Sequence, residues 1–314
     1  MHLSEAELKI GFTGRCKAVV NSFTERTAKT GSTYLDLTLK DKLVIINSKC
    51  FSLPCFNFRE GHVLEFDLAV NEYNGSPSYI VENLSVSMDD ASEYVAWFDK
   101  LPAIKNEFDK LVTSIKNEKY RMFLEQMLKM GEGFEVVPAA KSLHHTEFGG
   151  CLAHSLMVAY NCRSVGVFYN SVYGTEEESF IDLDLLVTSA LIHDIGKTYE
   201  LEWDAVGGVC GYTSDISCLD SHITIASEWL TLIASKCLLL ESDEYRLLKH
   251  CLNAHHGKFE WGSPVVPGVA EAYILSMVDK MDADVWRFQN ANKTIPSRES
   301  DYVNVDGMRR VLHK

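Results

Sequence analysis

The 314-residue sequence lacks a basic excess, a long apolar run and a recognisable export signal. Lysine and arginine number 30 against 44 acidic residues, and the resulting net charge of −14 argues against a broad basic surface for duplex nucleic acid. No apolar stretch approaches the roughly 20 residues that span a bilayer, and MHLSEAELKI has neither the basic end nor the apolar core of a signal peptide. These absences predict a cytoplasmic protein with no membrane partner.

Cysteine pairs and phosphate loops are also missing. The nine cysteines form no C-x-x-C pair and lie among apolar neighbours, as at Cys162, Cys237 and Cys251. This pattern predicts reduced, buried thiols rather than a disulfide framework. Because no glycine-rich phosphate loop and no alternation of strands with helices is present, Rossmann and P-loop enzymes are disfavoured.

The first part of the chain has the pattern of a small all-β domain. Residues 11–88 contain five short segments rich in β-branched and aromatic residues, separated by turn signals such as KTGS and YNGSP. Five strands in about 80 residues favour a small barrel, with an OB-fold as the leading interpretation. The strand count alone also fits other small barrels.

After residue 88 the apolar residues recur three or four positions apart, and from Gly149 onward the pattern is helical throughout. We therefore predict a multidomain chain: an OB-fold at residues 1–90, a helical linker at 91–140, an all-α helical bundle at 141–290 and a polar tail at 291–314. Residues 1–90 carry nine basic and twelve acidic residues, a balance of −3, which leaves 21 against 32, or −11, for the remainder.

Seven ionisable side chains lie within or beside apolar helical segments of the predicted bundle: His154, His193, Asp194, His222, His255, His256 and Asp279. Asp279 follows Leu275 by four residues and so shares the apolar face of its helix. Imidazoles and carboxylates aimed inward from several helices are typical of a metal site. Taken singly, each also has a structural interpretation, as a hydrogen-bonded core histidine, a polar helix end or a partner of a nearby lysine.

The doublet in SALIHDIGK is harder to explain structurally, because it buries His193 and Asp194 together in an apolar run. The order His, His-Asp, His, His-His, Asp resembles the HD-domain superfamily of metal-dependent phosphohydrolases, in the longer version associated with two metal ions. The segments HHTEFGGCLAHSLMV, LLVTSALIHDIGKTYEL and NAHHGKFEWGSPVVPGVAEAYILSMVDKMDA, with the preceding barrel, resemble the YhaM-like 3′→5′ exoribonucleases. Those proteins join an N-terminal OB-fold to a C-terminal HD domain.

The resemblance implies a two-ion site. One ion would be held by His154, His193, Asp194 and Asp279, and Asp194 would bridge to a second ion held by His222 with one or both of His255 and His256. Manganese is the metal that the family implies, whereas ligand chemistry alone also admits iron, cobalt or zinc. The family usually has a glycine just ahead of the histidine at position 222, where this chain reads SCLDSH, so the second ion is less firmly implied than the first.

The catalytic residues that the resemblance implies are Asp194, as the bridging ligand, and Lys197, which would hold the phosphate or protonate the leaving oxygen. The expected reaction is stepwise hydrolysis of single-stranded RNA from its 3′ end, by a metal-activated water, to nucleoside 5′-monophosphates. Single-stranded DNA remains open as a second substrate. A phosphodiesterase for a small nucleotide or cyclic dinucleotide is one alternative, and a catalytically inactive nucleic-acid-binding protein is another.

Substrate contacts are predicted in both parts of the chain. Near the metal ligands the candidates are His144, His145 and Trp261. In the barrel the candidates for base stacking and phosphate contact are Tyr34, Tyr73 and Lys29, together with Phe51, Tyr79, Arg15, Lys17 and Lys49. Aromatic residues in strands more often belong to the core, which is the structural alternative for each. A homo-oligomer is also compatible with the sequence.

Overall fold

The computed structural model describes residues 1–29, 31–140, 144–204, 209–212, 216–294, 302–305 and 308–311. The chain divides into two compact units. The first comprises Met1–Ala96, Trp203–Cys210 and Arg287–Lys314, and the second comprises Trp97–Glu202 and Gly211–Trp286. The boundaries that the sequence predicts for the linker and the tail stay predictions.

The first unit contains a closed five-stranded barrel. Its strands are β1 (Thr13–Thr27), β2 (Thr33–Asp41), β3 (Val44–Cys50), β4 (Val63–Tyr73) and β5 (Ser76–Val86). They follow the order β1-β2-β3-β5-β4, and β1 closes the barrel by pairing with β4. Every pairing is antiparallel except that of β3 with β5, where Ser48 lies opposite Tyr79. This topology is that of an OB-fold, so the predicted fold of the first part is confirmed.

Alternation of apolar and polar residues explains why these segments form strands. Along β4, Leu64, Phe66 and Leu68 are fully buried, while the intervening Glu65 and Asp67 face outward. Strand β1 pairs with β4 through its first half and with β2 through its second half, and its register with β2 shifts between Val20 and Ser22. Such an irregularity bends a strand and lets the sheet curve into a barrel.

The second unit consists mainly of helices, as the sequence predicts, and the helical fold class is confirmed. The helices of the described chain are α1 (Leu101–Ser114), α2 (Glu118–Met130), α3 (Gly150–Tyr173), α4 (Leu183–Ile192), α5 (Lys197–Glu200), α6 (Ile216–Leu219), α7 (His222–Lys236), α8 (Asp243–Ala254) and α9 (Ala270–Thr294), the last of which continues into the first unit.

Helix α4 lies at the centre of the helical unit. Asp182 caps its first turn by accepting hydrogen bonds from the backbone N–H groups of Asp184 and Leu185. All residues from 185 to 192 are buried, and α4 packs against α2, α3 and α8. A helix that is apolar on every face is stable only inside a protein. The residues that follow it, His193 and Asp194, are therefore held at the middle of the bundle.

Two short strand pairs were not predicted from the sequence. They are β6 (Leu201–Asp204) with β7 (Val209–Tyr212), and β8 (Tyr302–Val305) with β9 (Met308–Val311). Each strand has four residues, too few for a clear alternation. The prediction of buried thiols holds for Cys162 and Cys251 but is wrong for Cys237, which is exposed where α7 ends. Among the described residues, no helix is both long and apolar enough to cross a membrane.

Candidate metal centre

The helical unit brings all seven predicted ligand side chains together at one place. His154 comes from α3, the His193–Asp194 pair follows α4, and Asp279 comes from α9. His222 begins α7, whereas His255 and His256 follow α8 directly. The Nε2 atoms of His154 and His193 lie 3.2 Å apart, and His154 Nε2 lies 3.1 Å from Asp279 Oδ1. Five separate helices thus aim nitrogen and oxygen donors at a common centre.

Two of the histidines are held in the same way at the ends of their helices. His193 directly follows α4, and its Nδ1 atom lies 2.8 Å from the carbonyl oxygen of Ala190. His255 directly follows α8, and its Nδ1 atom lies 2.7 Å from the carbonyl oxygen of Leu252. In both cases the carbonyl belongs to the residue three positions earlier. A carbonyl oxygen can only accept, so each Nδ1 carries the proton. The Nε2 lone pairs of both rings are therefore left for the centre.

His222 reaches the centre because Gly196 lets two backbone segments approach closely. A Cβ atom at position 196 would lie 2.1 Å from the carbonyl oxygen of His222, a distance that no side chain tolerates. Ser221 precedes His222 and caps α7 by accepting from the backbone N–H of Thr224. The serine that replaces the usual glycine here thus serves as a helix cap, and His222 still points inward.

Asp194 lies between two groups of histidines. Its Oδ2 atom is 3.5 Å from His193 Nε2 and 3.6 Å from His154 Nε2. Its Oδ1 atom is 3.5 Å from His222 Nε2 and 3.8 Å from His255 Nε2. One carboxylate oxygen therefore faces each group, which is the arrangement that a bridging ligand requires.

The donor set fits two divalent ions. Donor atoms of His154, His193 and Asp279 lie within 4.8 Å of one another, and so do those of His222, His255 and His256. The Nε2 atoms of His222 and His255 are buried and have no hydrogen-bond partner among the described residues. Buried polar atoms are normally satisfied, so such atoms need an explanation. An ion bound through bonds of about 2.0–2.2 Å to imidazole and carboxylate would satisfy them.

The charges around the centre keep its carboxylates ionised. Burial alone would raise the pKa of Asp194, but Lys197 and the neighbouring imidazoles lower that pKa well below its ordinary value. Burial also opposes ionisation of Asp279, whose pKa the hydrogen bond from His154 Nε2 lowers well below its ordinary value instead. Burial lowers the pKa values of His255 and His256, so these rings are neutral at physiological pH. These four side chains are thus in the anionic or neutral forms that bind metal.

His154 differs from the other ligands, and this difference predicts a proton release on metal binding. Burial lowers its pKa, but Asp279 and Asp282 outweigh burial and raise that pKa to about 10. At pH 8 the metal-free ring is therefore an imidazolium that must lose its Nε2 proton to bind an ion. We expect loading of both ions at pH 8 to release about one proton, and apparent affinity to fall about tenfold per pH unit below this pKa.

Titration calorimetry with Mn²⁺ in two buffers of different ionisation enthalpy measures this proton. Since His255 and His256 are already neutral, the ion that they hold should contribute no proton. A His154→Gln variant is the matched control and should bind Mn²⁺ without proton release. Loading of the wild-type chain without proton release at pH 8 would contradict the assignment.

Lys197 contacts a predicted metal ligand directly, whereas the sequence predicts that it contacts the substrate or the leaving group. Its Nζ atom is 2.6 Å from Asp194 Oδ2, and the residue is 9% exposed. Burial lowers its pKa, but Asp194 more than compensates and raises it, so the side chain stays charged. Lys197 therefore balances the bridging carboxylate in the metal-free chain. Its proposed contact with the phosphate stays a prediction.

The three residues near the centre that are predicted to contact substrate, His144, His145 and Trp261, lie in different environments. His145 has a positive φ of 43° and is buried, with Nε2 2.9 Å from Asp282 Oδ2, which favours a supporting role over substrate contact. The ring of His144 lies 5.0 Å from that of His154. Trp261 is exposed, with Lys258 Nζ 4.4 Å from its ring centroid, and its carbonyl accepts from His256 Nδ1. Of the three, Trp261 is best placed to contact a base.

The barrel candidates belong to the first unit. Tyr34 on β2 and Phe51 after β3 place their rings 5.4 Å apart, and Lys49 Nζ lies 5.6 Å from the Tyr34 ring. Lys29, in the β1–β2 turn, and Tyr73, beside the β4–β5 turn, are exposed. By contrast, Tyr79 packs against the barrel core. Arg15 and Lys17 are engaged with carboxylates, at 3.1 Å from Asp67 and 2.9 Å from Asp89 respectively.

Comparison with known proteins agrees with this architecture. The HD domain family matches residues 151–284, the span that holds the seven side chains. This chain carries an HD domain. It is 28% identical over 291 residues to the 3′-5′ exoribonuclease YhaM of Listeria monocytogenes serotype 4b, strain CLIP80459, with 89% of this chain and 88% of that protein covered. It is also 28% identical over 275 residues to the protein of the same name from Bacillus subtilis, strain 168, with coverages of 84% and 83%.

The predicted resemblance to the YhaM-like proteins is therefore confirmed over most of the chain. Among solved structures, the second OB-fold domain of replication protein A from Methanococcus maripaludis matches with a TM-score of 0.23 and 21% identity, covering 28% of this chain and 95% of that chain.

Two residues that support the ligands of the HD domain were not predicted. Glu200 ends α5 and accepts a hydrogen bond of 2.9 Å from His222 Nδ1. Asp282 on α9 accepts one of 2.7 Å from His154 Nδ1. Both carboxylates are largely buried. Each fixes the tautomer and orientation of one predicted ligand, and the two ligands belong to different groups of the site. For Asp282, a sequence signal existed in its position three residues after Asp279, on the same helical face.

Proposed function

We propose that the chain is a metal-dependent 3′→5′ exoribonuclease that hydrolyses single-stranded RNA to nucleoside 5′-monophosphates. One observation carries the proposal: Asp194 lies between two clusters of buried donors in an HD domain. The curated relatives that match nearly the whole chain are named as 3′-5′ exoribonucleases, which supports the reaction class. As predicted from the sequence, we also propose that the protein is cytoplasmic and that the metal it binds is manganese.

Each group of donors has its own task in the proposed mechanism. His154, His193 and Asp279 would hold one ion, His222, His255 and His256 the other, and Asp194 both. When bound, the ions supply Lewis-acid activation of water and neutralise charge on the phosphodiester. Asp194 would serve both positions because its two oxygens face opposite groups. Lys197 places one positive charge beside that carboxylate and so offsets negative charge brought in by the phosphate.

The loop after His256 would hold the terminal nucleotide. Trp261 is exposed, so its indole presents a flat surface for stacking on a base, and the Lys258 ammonium lies over one face of the same ring. The hydrogen bond from His256 Nδ1 to the Trp261 carbonyl ties this loop to a ligand of the site. The terminal base and the scissile phosphate would thereby be positioned by one connected segment.

The barrel would hold the upstream part of the strand. OB-folds bind oligonucleotides on the face of strands 2 and 3 and through the loops between strands 1 and 2 and between strands 4 and 5. Tyr34, Phe51 and Lys49 lie on or beside that face, Lys29 lies in the first loop and Tyr73 borders the second. Two adjacent rings with a lysine over one of them can stack bases and hold a phosphate.

The direct test is hydrolysis of single-stranded oligoribonucleotides labelled at the 5′ end, with Mn²⁺ present. We expect a ladder that shortens from the 3′ end, with nucleoside 5′-monophosphates as products. Parallel reactions contain the DNA of the same sequence, a cyclic dinucleotide and a small nucleotide. Cleavage of the cyclic or small nucleotide alone would favour the alternative phosphodiesterase, and binding without any hydrolysis would favour an inactive nucleic-acid-binding protein.

Removing the two aromatic rings of the barrel should weaken the binding of long strands only. Each stacked base contributes about 1–3 kcal/mol, so loss of both rings in Tyr34→Ala with Phe51→Ala should raise KM for a 20-nucleotide RNA by at least about 30-fold. The KM for a dinucleotide should stay unchanged. Met88→Ala, at a fully exposed apolar side chain beyond β5, is the matched control. Equal effects on long and short substrates would contradict a strand-holding role for the barrel.

A further inference from the structure

An unusually large apolar surface lies on the outer side of the helical unit, away from the buried ligands on the same helices. Its side chains are between 38% and 63% exposed. We name it the α3–α9 face, and it comprises Phe168, Tyr169, Tyr173, Phe180, Tyr273, Met277 and Met281.

The residues of this face form one continuous surface. Tyr169 and Tyr173 stack with ring centroids 5.9 Å apart, Tyr173 contacts Phe180 at 5.6 Å, and Phe168 contacts Tyr169 at 6.0 Å. Tyr169 and Phe180 also line a groove of about 820 Å³ whose opposite wall includes Tyr273, Met277 and Met281 of α9. Aromatic rings and methionines therefore meet across two helices without a charged side chain among them.

The area of the face matches what a stable dimer needs. A fully exposed aromatic side chain presents about 200 Å², so the five rings together expose about 550 Å² at their observed fractions. The exposed area of the rings alone is near the upper end of the range for the largest apolar patch on a monomeric protein, about 300–600 Å². With the two methionines the face approaches the roughly 800 Å² that each partner buries in an interface of standard size.

We propose that the α3–α9 face is the interface of a homodimer. In a two-fold dimer the same patch occurs on both partners, so it must be able to pack against itself. The exposed residues Tyr273, Met277 and Met281 recur every four positions along α9, and ridges with this spacing interdigitate when two such helices cross. Because the chain carries a net charge of −14, contact through this uncharged face avoids placing like charges of two copies directly opposite one another.

The charged residues beside the α3–α9 face argue against a membrane as its binding partner. Helices that lie on membranes carry a band of lysine and arginine beside their apolar face. On α9 the charged neighbours of the face include Lys280 and Asp284, which pair with each other at 2.7 Å. A mixed pair of this kind adds no net attraction to anionic lipids.

The test is the mass of the full chain in solution. Sedimentation equilibrium from about 1 to 100 µM should give twice the mass of one chain, the range in which interfaces of this size are normally occupied. Tyr273→Glu combined with Met277→Glu places four carboxylates in the interface and should weaken dimerisation at least about 100-fold. Leu219→Glu, at an exposed leucine of α6, is the matched control and should remain dimeric.

Three results would overturn the proposal: a monomeric wild-type chain throughout this range, a double variant as dimeric as the wild type, or a monomer that instead floats with phosphatidylglycerol-containing vesicles. Circular dichroism shows whether the double variant is folded. If it is not, Met281→Lys, a single change on the same face, replaces it with the same expected loss of the dimer.

Discussion

Replacing Asp194 with asparagine should empty both metal positions and lower turnover on single-stranded RNA by about a thousandfold or more. The asparagine keeps the shape of the side chain but cannot neutralise two cations. The ions are expected to supply several kcal/mol of transition-state stabilisation, and about 4 kcal/mol corresponds to that factor. Elemental analysis of the dialysed protein gives the number of ions per chain, and single-turnover hydrolysis gives the rate.

The same substitution should also destabilise the metal-free fold, and the two effects can be separated. Asp194 and Lys197 are 2% and 9% exposed and pair at 2.6 Å. Loss of one partner of a buried pair costs about 3–5 kcal/mol because the remaining charge is left uncompensated. Asp194→Asn combined with Lys197→Met should therefore regain most of the unfolding free energy, measured by urea denaturation in chelator.

Metal binding and activity should not return in that double variant. Lys197→Met alone is the matched control: it leaves all seven ligands in place, so it should keep both ions while slowing turnover. If Asp194→Asn retained two ions per chain, the bridging role would be wrong. If Lys197→Met lost metal to the same extent as Asp194→Asn, the lysine would be part of the metal site rather than a charge beside the phosphate.

The sequence was sufficient to predict most of the architecture because its apolar pattern is strong. Alternation along β4 and the largely apolar run of α4 each indicate one kind of element, and both elements form as expected. The order of histidines and aspartates then identified the side chains that meet at the centre of the helical unit. By contrast, the four-residue strands β6 to β9 carry too few residues to show a period.

The supporting carboxylates could not be predicted because their partners are brought near only by the fold. Glu200 and the histidine that it holds are 22 positions apart, and Asp282 is 128 positions from His154. No local spacing relates these pairs. The barrel shows the same limit: the sequence predicts phosphate contacts for Arg15 and Lys17 as for Lys29, yet Arg15 pairs with Asp67 on the neighbouring strand and Lys17 pairs with Asp89, which follows β5. Contacts of this kind depend on strand register and on the path of the chain after a strand, which composition does not reveal.

Substituting the two supporting carboxylates should weaken the two ions separately. Glu200→Gln removes the charge behind His222, whose Nδ1 lies 2.9 Å from the Glu200 carboxylate, so only the ion of His222, His255 and His256 should bind less tightly. Asp282→Asn removes the charge behind His154 and should weaken only the other ion. A carboxylate behind a histidine ligand makes that ligand more basic, and its loss typically costs about 10- to 100-fold in metal affinity.

Two-site calorimetry with Mn²⁺ resolves these losses, and electron paramagnetic resonance distinguishes a coupled pair of ions from a single ion. Glu202→Gln and Asp284→Asn are the matched controls, because they make the same chemical change at carboxylates close in sequence but outside the site. Both controls should bind two ions with wild-type affinity. Equal weakening of both ions by either Glu200→Gln or Asp282→Asn would contradict the division of the donors into two groups, because each carboxylate contacts a histidine of only one group.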